Sequence, residues 1–536
     1  MNDATIEPEP TGIESTTDNR KMARAAAGVS LLTGIGYLTG IVTKMVLARL
    51  LGTLPTNNAF NYGHRLTQDI FRSWDKLIRP TFLPALSWER DRVGEEDAWT
   101  FTNTIINLQA VLLAVVVLVL MVFSRHVVGV LTNFEEESAT LASRFLMLLA
   151  PGVLFLSLAT TGYMLLNSYK RFHLAAFGDH VFVKLFPFLS LVALYWALGI
   201  TALILGIVAG AVAKLALYLW GLRDYRAHYR PRLKLRSPAM RKMMWLMLPL
   251  SVGVVVSFAR NRIEDYFLTD VLKGRAMTLV TNAKAAVDIP VIVFPVALSI
   301  AIFPFMSDYF LKKRHKDLLA VLGKGIRIIF LAFLPLTVGL IVLAHPTVDV
   351  VFGGGKFTPD DVRYTSDALR FYAVGYVVFG LEILLLQFFY AAHDTIRPTV
   401  TGVATSALQI LILYLTVDAL GVVSFTLAYS ASKTIKVLLL FGLLAWVYPH
   451  AALWGPMLKR TGSALAKIAT ATAAMGAVVW LLGAVLIADD TARLLKLVYL
   501  VVTAGVGGVV FVAGVHLLGV EEWRQALGWV KGKLKR

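Results

Sequence analysis

Residues 111–123 read VLLAVVVLVLMVF, an unbroken run of apolar side chains inside a longer apolar stretch, 100–124. A helix that crosses a bilayer needs about 20 mostly apolar residues, so this stretch is long enough to span. Residues 328–344, IIFLAFLPLTVGLIVLA, show the same composition far along the chain. The two stretches predict a polytopic, all-α membrane protein.

Working outward from these two runs, we find about fourteen candidate transmembrane helices by the same length criterion. Their predicted bounds are 25–52, 58–88, 100–124, 139–168, 173–198, 200–222, 240–268, 275–309, 318–345, 362–392, 395–417, 421–448, 461–488 and 494–519. The second span carries six charged residues, far too many for a helix that faces lipid. We interpret it as a helix that lines a wet cavity.

Composition and loop charge support a membrane protein with both termini in the cytoplasm. The chain is 57% hydrophobic and 16% charged, against about 45–50% and 25% in soluble domains. The net charge is +18, and the basic residues concentrate in alternate loops such as 223–242 and 312–316, whereas 134–138 reads FEEES. Because basic loops stay on the cytoplasmic side, membrane topology explains the excess of positive charge, and a nucleic-acid-binding function is not needed to account for it. The chain contains no cysteine, which excludes disulfides and thiolate metal sites.

Two short polar turns, LNSYKRF at 166–172 and FYAAHDTIRP at 389–398, lie six spans apart. This weak internal echo predicts two six-helix lobes plus two C-terminal helices, and paired lobes with a site between them are a common transporter plan. The predicted organisation comprises a disordered cytoplasmic tail at 1–24, an N-lobe at 25–222, a basic linker at 223–239, a C-lobe at 240–448, two further spans at 461–519 and a basic tail at 520–536.

Charged residues inside the spans are the candidate functional residues, because an ionisable group in a membrane is costly. The basic ones cluster on spans 1, 2, 7 and 8, and a cavity lined by them suits an anion such as phosphate. The candidates for substrate binding are Lys44, Arg49, Arg65, Arg72, Arg260 and Lys284. Glu264, Asp265 and Asp288 are candidates for ion coupling or for structural salt bridges, and both interpretations stay open.

Known catalytic and nucleotide-binding motifs do not occur in the sequence. We find no phosphate-binding loop, zinc-protease motif or dinucleotide fingerprint, and Gly353–Lys356 lacks the strand–helix setting of a phosphate loop. An enzyme or ATPase is therefore not predicted, and no bound cofactor is expected. Transport would draw on the membrane potential, Na+, H+ or substrate flow.

Several motifs resemble the MurJ (MviN) family of lipid II flippases, in the multidrug/oligosaccharidyl-lipid/polysaccharide exporter superfamily. They include ARLLG at 48–52, FLPAL at 82–86 and GKFT at 355–358, and the resemblance covers about 28–448. It implies a V-shaped, cationic central cavity that moves undecaprenyl-pyrophosphate-linked peptidoglycan precursor between leaflets by alternating access. It also implies the bacterial inner membrane, contact with membrane lipids and cell-wall synthesis partners.

The sequence departs from the family pattern within the resemblance. Thr43-Lys44 stands where the family has an Arg-Asp pair, and Asn58 stands where it has an aspartate. In the eighth span, the basic side chain is Lys284, one position away from the family's arginine. The resemblance adds Asn58 to the substrate-binding candidates and places Asp265 near a cation-liganding aspartate. Lipid II stays the leading substrate, and the loss of Arg-Asp is the feature that favours the alternative, another polyprenyl-linked glycan such as an O-antigen or exopolysaccharide unit. A drug/cation antiporter and a non-transporting membrane scaffold also stay open as functions.

Overall fold

A computed structural model describes residues 34–447, 451–487 and 491–534 of the chain, and it describes their side chains except at 287–301, 451–453 and 529–534. The predicted tail at 1–24 and the end of the predicted basic tail therefore lie outside the described residues. Asp288 lies on a described helix, but its side chain is outside the described set.

Within the described ranges, the regular structure is helical, which confirms the predicted all-α membrane fold. The helices are α1 Gly34–Leu51, α2 Pro55–Val93, α3 Glu95–Val122, α4 Ser124–Leu131, α5 Glu136–Ser168, α6 Phe172–Phe177, α7 Val183–Leu198, α8 Ile200–Gly221, α9 Pro238–Asp270, α10 Arg275–Leu311, α11 His315–Val342, α12 Ala344–Val351, α13 Pro359–Ala391, α14 Ile396–Leu420, α15 Val423–Val447, α16 Ala451–Leu486, α17 Arg493–Leu517 and α18 Glu521–Leu534.

Twelve helical segments of the described chain are long and apolar enough to cross a membrane. The charged helix α2 is not among them, and α9 and the start of α10 form one continuous candidate, Pro238–Ala286. The count of fourteen crossings thus stays a prediction. The predicted span at 173–198 corresponds to one candidate membrane span, Phe172–Leu198, in which a π-helical turn at Gly178–Phe182 joins α6 to α7.

The chain divides into two compact units. Unit 1 takes residues up to Thr43, Gly63–Val127 and Ser143–Val254, and unit 2 takes Lys44–Tyr62, Val128–Ala142 and the residues from Val255 onward.

Unit 1 has an aromatic core, and the basic linker after α8 is ordered against α3. Phe82 and Phe101 stack with ring centroids 5.7 Å apart. The Asn103 side chain donates to the His228 carbonyl at 2.8 Å and so fixes the linker. Beside it, a hydrogen bond from Arg171 to Asp224 at 2.6 Å lowers the pKa of that exposed carboxyl below its usual value.

Unit 2 is built around α10, α11, α13 and α15, with Phe333, Phe388 and Phe389 fully buried. Helix α13 begins at a capping box. The Thr358 hydroxyl accepts from the Asp361 backbone N–H, and the Asp361 carboxylate accepts from the Thr358 backbone N–H. The sequence encodes this start, since Thr at the N-cap with an acidic residue three positions on satisfies free N–H groups.

The turn after α1 packs against the loop that precedes α13. The Arg49 carbonyl accepts from the Lys356 amide at 2.9 Å. Gly52 has φ +53°, and a Cβ at this position would collide with the Lys356 carbonyl. This glycine is therefore required both by its left-handed backbone and by the close approach of the loop.

We expect Gly52→Ala to lower the free energy of unfolding by about 1–3 kcal/mol, because it adds left-handed strain and displaces the loop. The measurement is thermal unfolding of the purified protein in detergent. Gly339→Ala is the control, since its Cβ would meet nothing within 4 Å. Equal melting of Gly52→Ala and wild type would show that the close approach is dispensable.

Candidate functional site

The predicted basic residues of α2 belong to unit 1 and differ in their surroundings. Arg65 is half-buried and Arg72 is exposed. Arg79, one further heptad along the same face, is bound to Asp75 at 3.0 Å and lies 4.8 Å above the Tyr163 ring. Arg79 is thus held by Asp75 and Tyr163 within unit 1, whereas the side chain of Arg72 is exposed.

A buried ion pair in unit 1 was missed by the sequence analysis. Lys214 of α8 is 3% exposed and lies 2.6 Å from Asp179 of the π-helical turn. The available signal was a single lysine in the otherwise apolar stretch 200–222, which demands a partner. The partner could not be chosen from the sequence, because it lies on another helix.

In unit 2, Arg49 lies at the end of α1 against the loop after α12. Its guanidinium donates to the Val350 carbonyl at 3.5 Å, and Arg493 donates to the same carbonyl at 2.9 Å. The Arg49 Nε atom is buried and has no hydrogen-bond partner among the described residues. Two arginines therefore concentrate positive charge at this end of α1.

Asn58 is 1% exposed and joins α2 to α10 within unit 2. Its amide donates to the Thr53 carbonyl at 2.8 Å, and its oxygen accepts from Thr278 at 2.5 Å. Nearby, Asp361 accepts from Thr53 at 3.1 Å and from Arg275 at 2.5 Å. Both functional groups of Asn58 are thus engaged by the protein itself.

The carboxylates of α9 have different partners. Asp265 is fully buried and pairs with Arg262 at 2.8 Å, next to the buried Tyr62. Glu264 is half-buried and accepts from Gln409 of α14 at 3.4 Å. Arg260 donates to the oxygen of the same Gln409 at 3.4 Å. The amide of Gln409 therefore links a predicted cation to a predicted anion.

A second cluster that the site prediction left out lies between α13 and α15. Both carboxylate oxygens of Glu382 accept from lysines, at 2.7 Å from Lys433 and at 2.6 Å from Lys436. The three residues stand out in the sequence as charges in apolar spans, but they lie 51 and 54 positions apart. Their convergence is a product of helix packing.

The remaining candidates differ in exposure. Lys44 on α1 is half-buried and Lys284 on α10 is exposed. Across the described residues, no group of three or more His, Asp or Glu side chains could hold a metal ion. Taken unit by unit, the arrangement supplies basic groups in apolar helices, which can bind an anion by charge and by hydrogen bonds.

The chain is similar to known proteins over most of its length. The family model described as "Lipid II flippase MurJ" matches residues 47–499. The lipid II flippase MurJ of Burkholderia cenocepacia is 25% identical over 427 residues, which is 78% of this chain and 83% of the relative. The probable lipid II flippase MurJ of Haemophilus influenzae is 24% identical and covers 92% of this chain and 99% of its own.

Solved structures show the same fold. A lipid II flippase MurJ in an inward closed conformation aligns with a TM-score of 0.73 at 18% identity, over 90% of this chain and 98% of that one. An inward-facing multidrug resistance MATE family transporter of the MOP superfamily aligns with a TM-score of 0.66 at 13% identity, over 82% and 98%. The fold is thus shared with transporters.

We expect Asp265→Asn to lower the free energy of unfolding by about 3–5 kcal/mol, because it leaves the Arg262 charge buried without its counter-ion. Thermal unfolding of the purified protein measures this. Asp308→Asn, which breaks an exposed pair with Lys312, is the matched control and should cost less than about 1 kcal/mol. Similar losses in both variants would contradict a buried pair.

Proposed function

The chain belongs to the MurJ family, and from this premise we propose that it is a flippase that carries lipid II from the inner to the outer leaflet of the bacterial inner membrane. The match of the family model to most of the chain is the observation that carries the proposal. The substrate is an undecaprenyl lipid with an anionic diphosphate and a sugar headgroup. No catalytic step is part of this function.

In this mechanism, basic side chains bind the diphosphate while the lipid tail stays in the bilayer. Arg72 and Lys284 are exposed and Arg65 is half-buried, so each of the three side chains keeps surface that an anion can reach. Alternating access between the two sides of the membrane then moves the headgroup, as is common in transporters built of paired lobes.

The orientation that we propose follows from the loop charges. The ordered linker after α8 carries exposed basic residues and would face the cytoplasm, together with both termini. An anionic headgroup would then leave an inside that is electrically negative. Each elementary charge that moves outward gains about 2.3 kcal/mol per 100 mV, so we propose that the membrane potential drives the step. Coupling to Na+ or H+ is the alternative.

The decisive experiment is complementation of a bacterium that is conditionally depleted of MurJ, scored by the accessibility of lipid II on the outer leaflet. We expect rescue of growth and of outer-leaflet lipid II. Failure with normal amounts of protein in the membrane would reject lipid II as the substrate and would favour another polyprenyl-linked glycan.

We expect the double variant Arg49→Ala/Arg72→Ala to reduce the flipping rate in proteoliposomes by about tenfold or more, since it removes about 1.4 kcal/mol or more of anion binding. Arg363→Ala is the control, because this arginine is 63% exposed on α13 and is not a candidate site residue. Intact flipping by the double variant would exclude these two arginines from the binding site.

A further inference from the structure

Unit 2 contains a polar tract that runs between four helices. We call it the C-unit tract, and its members are Arg260 and Glu264 of α9, Glu382 of α13, Gln409 of α14, and Ser432, Lys433 and Lys436 of α15. Gln409 is its centre, because its oxygen accepts from Arg260 and from Ser432 at 3.4 Å each and its nitrogen donates to Glu264 at 3.4 Å.

The charges of the C-unit tract do not cancel. It contains three basic and two acidic side chains, so one positive charge is in excess when all are ionised. Arg260 is linked to α15 through Gln409, whose oxygen also accepts from Ser432, the residue before Lys433. The neighbouring Arg262–Asp265 pair is neutral as a unit and does not supply the missing anion.

Within the tract, the Glu382 carboxylate is more completely paired than the basic side chains are. Glu382 is 6% exposed and accepts from both lysines, whereas Lys433 and Lys436 keep 18% and 14% of their side-chain surface exposed. The Arg260 Nε atom is buried and has no hydrogen-bond partner within the described residues. An excess cation with an unused donor in apolar surroundings is stabilised by a bound anion.

We propose that the C-unit tract is an oxyanion subsite, in which Arg260, Lys433 and Lys436 take one singly charged oxygen anion. The subsite deepens the proposed function and rests on it for the identity of the ligand. A lipid-linked precursor offers two groups of this chemistry, a phosphate of its diphosphate and a carboxylate of its peptide. Glu382 lies between the two ammonium groups and offsets one of the three positive charges.

The test varies the net charge of the tract and measures anion affinity on the full-length protein. The probes are dimethyl phosphate and acetate, both singly charged at neutral pH, titrated at constant ionic strength and followed by isothermal calorimetry. Lys433→Met removes the excess charge but leaves Glu382 paired with Lys436 at 2.6 Å, so the variant keeps a neutral pair. Glu382→Gln raises the excess, and Glu382→Gln/Lys433→Met restores the wild-type value.

We expect the affinity for the preferred probe to follow the charge. Lys433→Met should bind about tenfold more weakly and Glu382→Gln about tenfold more tightly than wild type, which corresponds to about 1.4 kcal/mol each way. The double variant should bind like wild type. Lys496→Met is the matched control, because Lys496 is also a buried lysine paired with a carboxylate, Asp349, outside the tract.

Tighter binding of dimethyl phosphate assigns the subsite to a phosphate, and tighter binding of acetate assigns it to a carboxylate. The proposal is overturned if neither probe binds, if both single variants weaken binding, or if Lys496→Met weakens it as much as Lys433→Met. If Glu382→Gln does not fold, the affinities of the double variant and of Lys433→Met can still be compared, and the double variant should bind more tightly. Failed rescue of MurJ depletion, with this charge order intact, would reject the proposed function and leave the subsite standing.

Discussion

A charge inside an apolar helix bundle must find a partner, and most of the tertiary structure described above is shaped by that constraint. Removing an ion from water costs several kcal/mol unless opposite charges and hydrogen bonds compensate. Lys214 pairs with Asp179, Arg262 with Asp265, and Glu382 with two lysines. The Lys214–Asp179 pair and the Glu382 cluster connect different helical segments, whereas the Arg262–Asp265 pair lies within α9.

The same constraint explains why α2 differs from its neighbours. It is 39 residues long and carries charge along its length, and it is not among the helices that are apolar enough to span. Its Asp75–Arg79 pair neutralises one part of it, whereas Arg72 remains exposed. A helix of this kind is stable in a membrane protein where its polar face meets water or an anion, which agrees with transport of a charged headgroup.

The charged residues fall into clusters whose charges cancel and a cluster with a net charge, and we assign the two kinds different roles. The Arg262–Asp265 pair is neutral, since two buried opposite charges lie 2.8 Å apart, and we expect its removal to affect stability. The C-unit tract is open, since one positive charge and one Arg260 donor remain for a ligand. Asn58 was predicted to bind substrate, but its amide already makes hydrogen bonds to the Thr53 carbonyl and to Thr278.

Hydropathy and motif order in the sequence predicted the helices to within a few residues at most ends, the all-α membrane class and the family. These features are local, because apolar length and 3.6-residue periodicity are read along a single segment. Charges in apolar spans are also visible in the sequence, and Glu382, Lys433 and Lys436 are examples that the site prediction left out. Their pairing, the π-helical turn that carries Asp179, and the engagement of Asn58 were decided only by the tertiary structure. Partners that lie 35 to 220 positions apart meet through helix packing, which no single segment encodes.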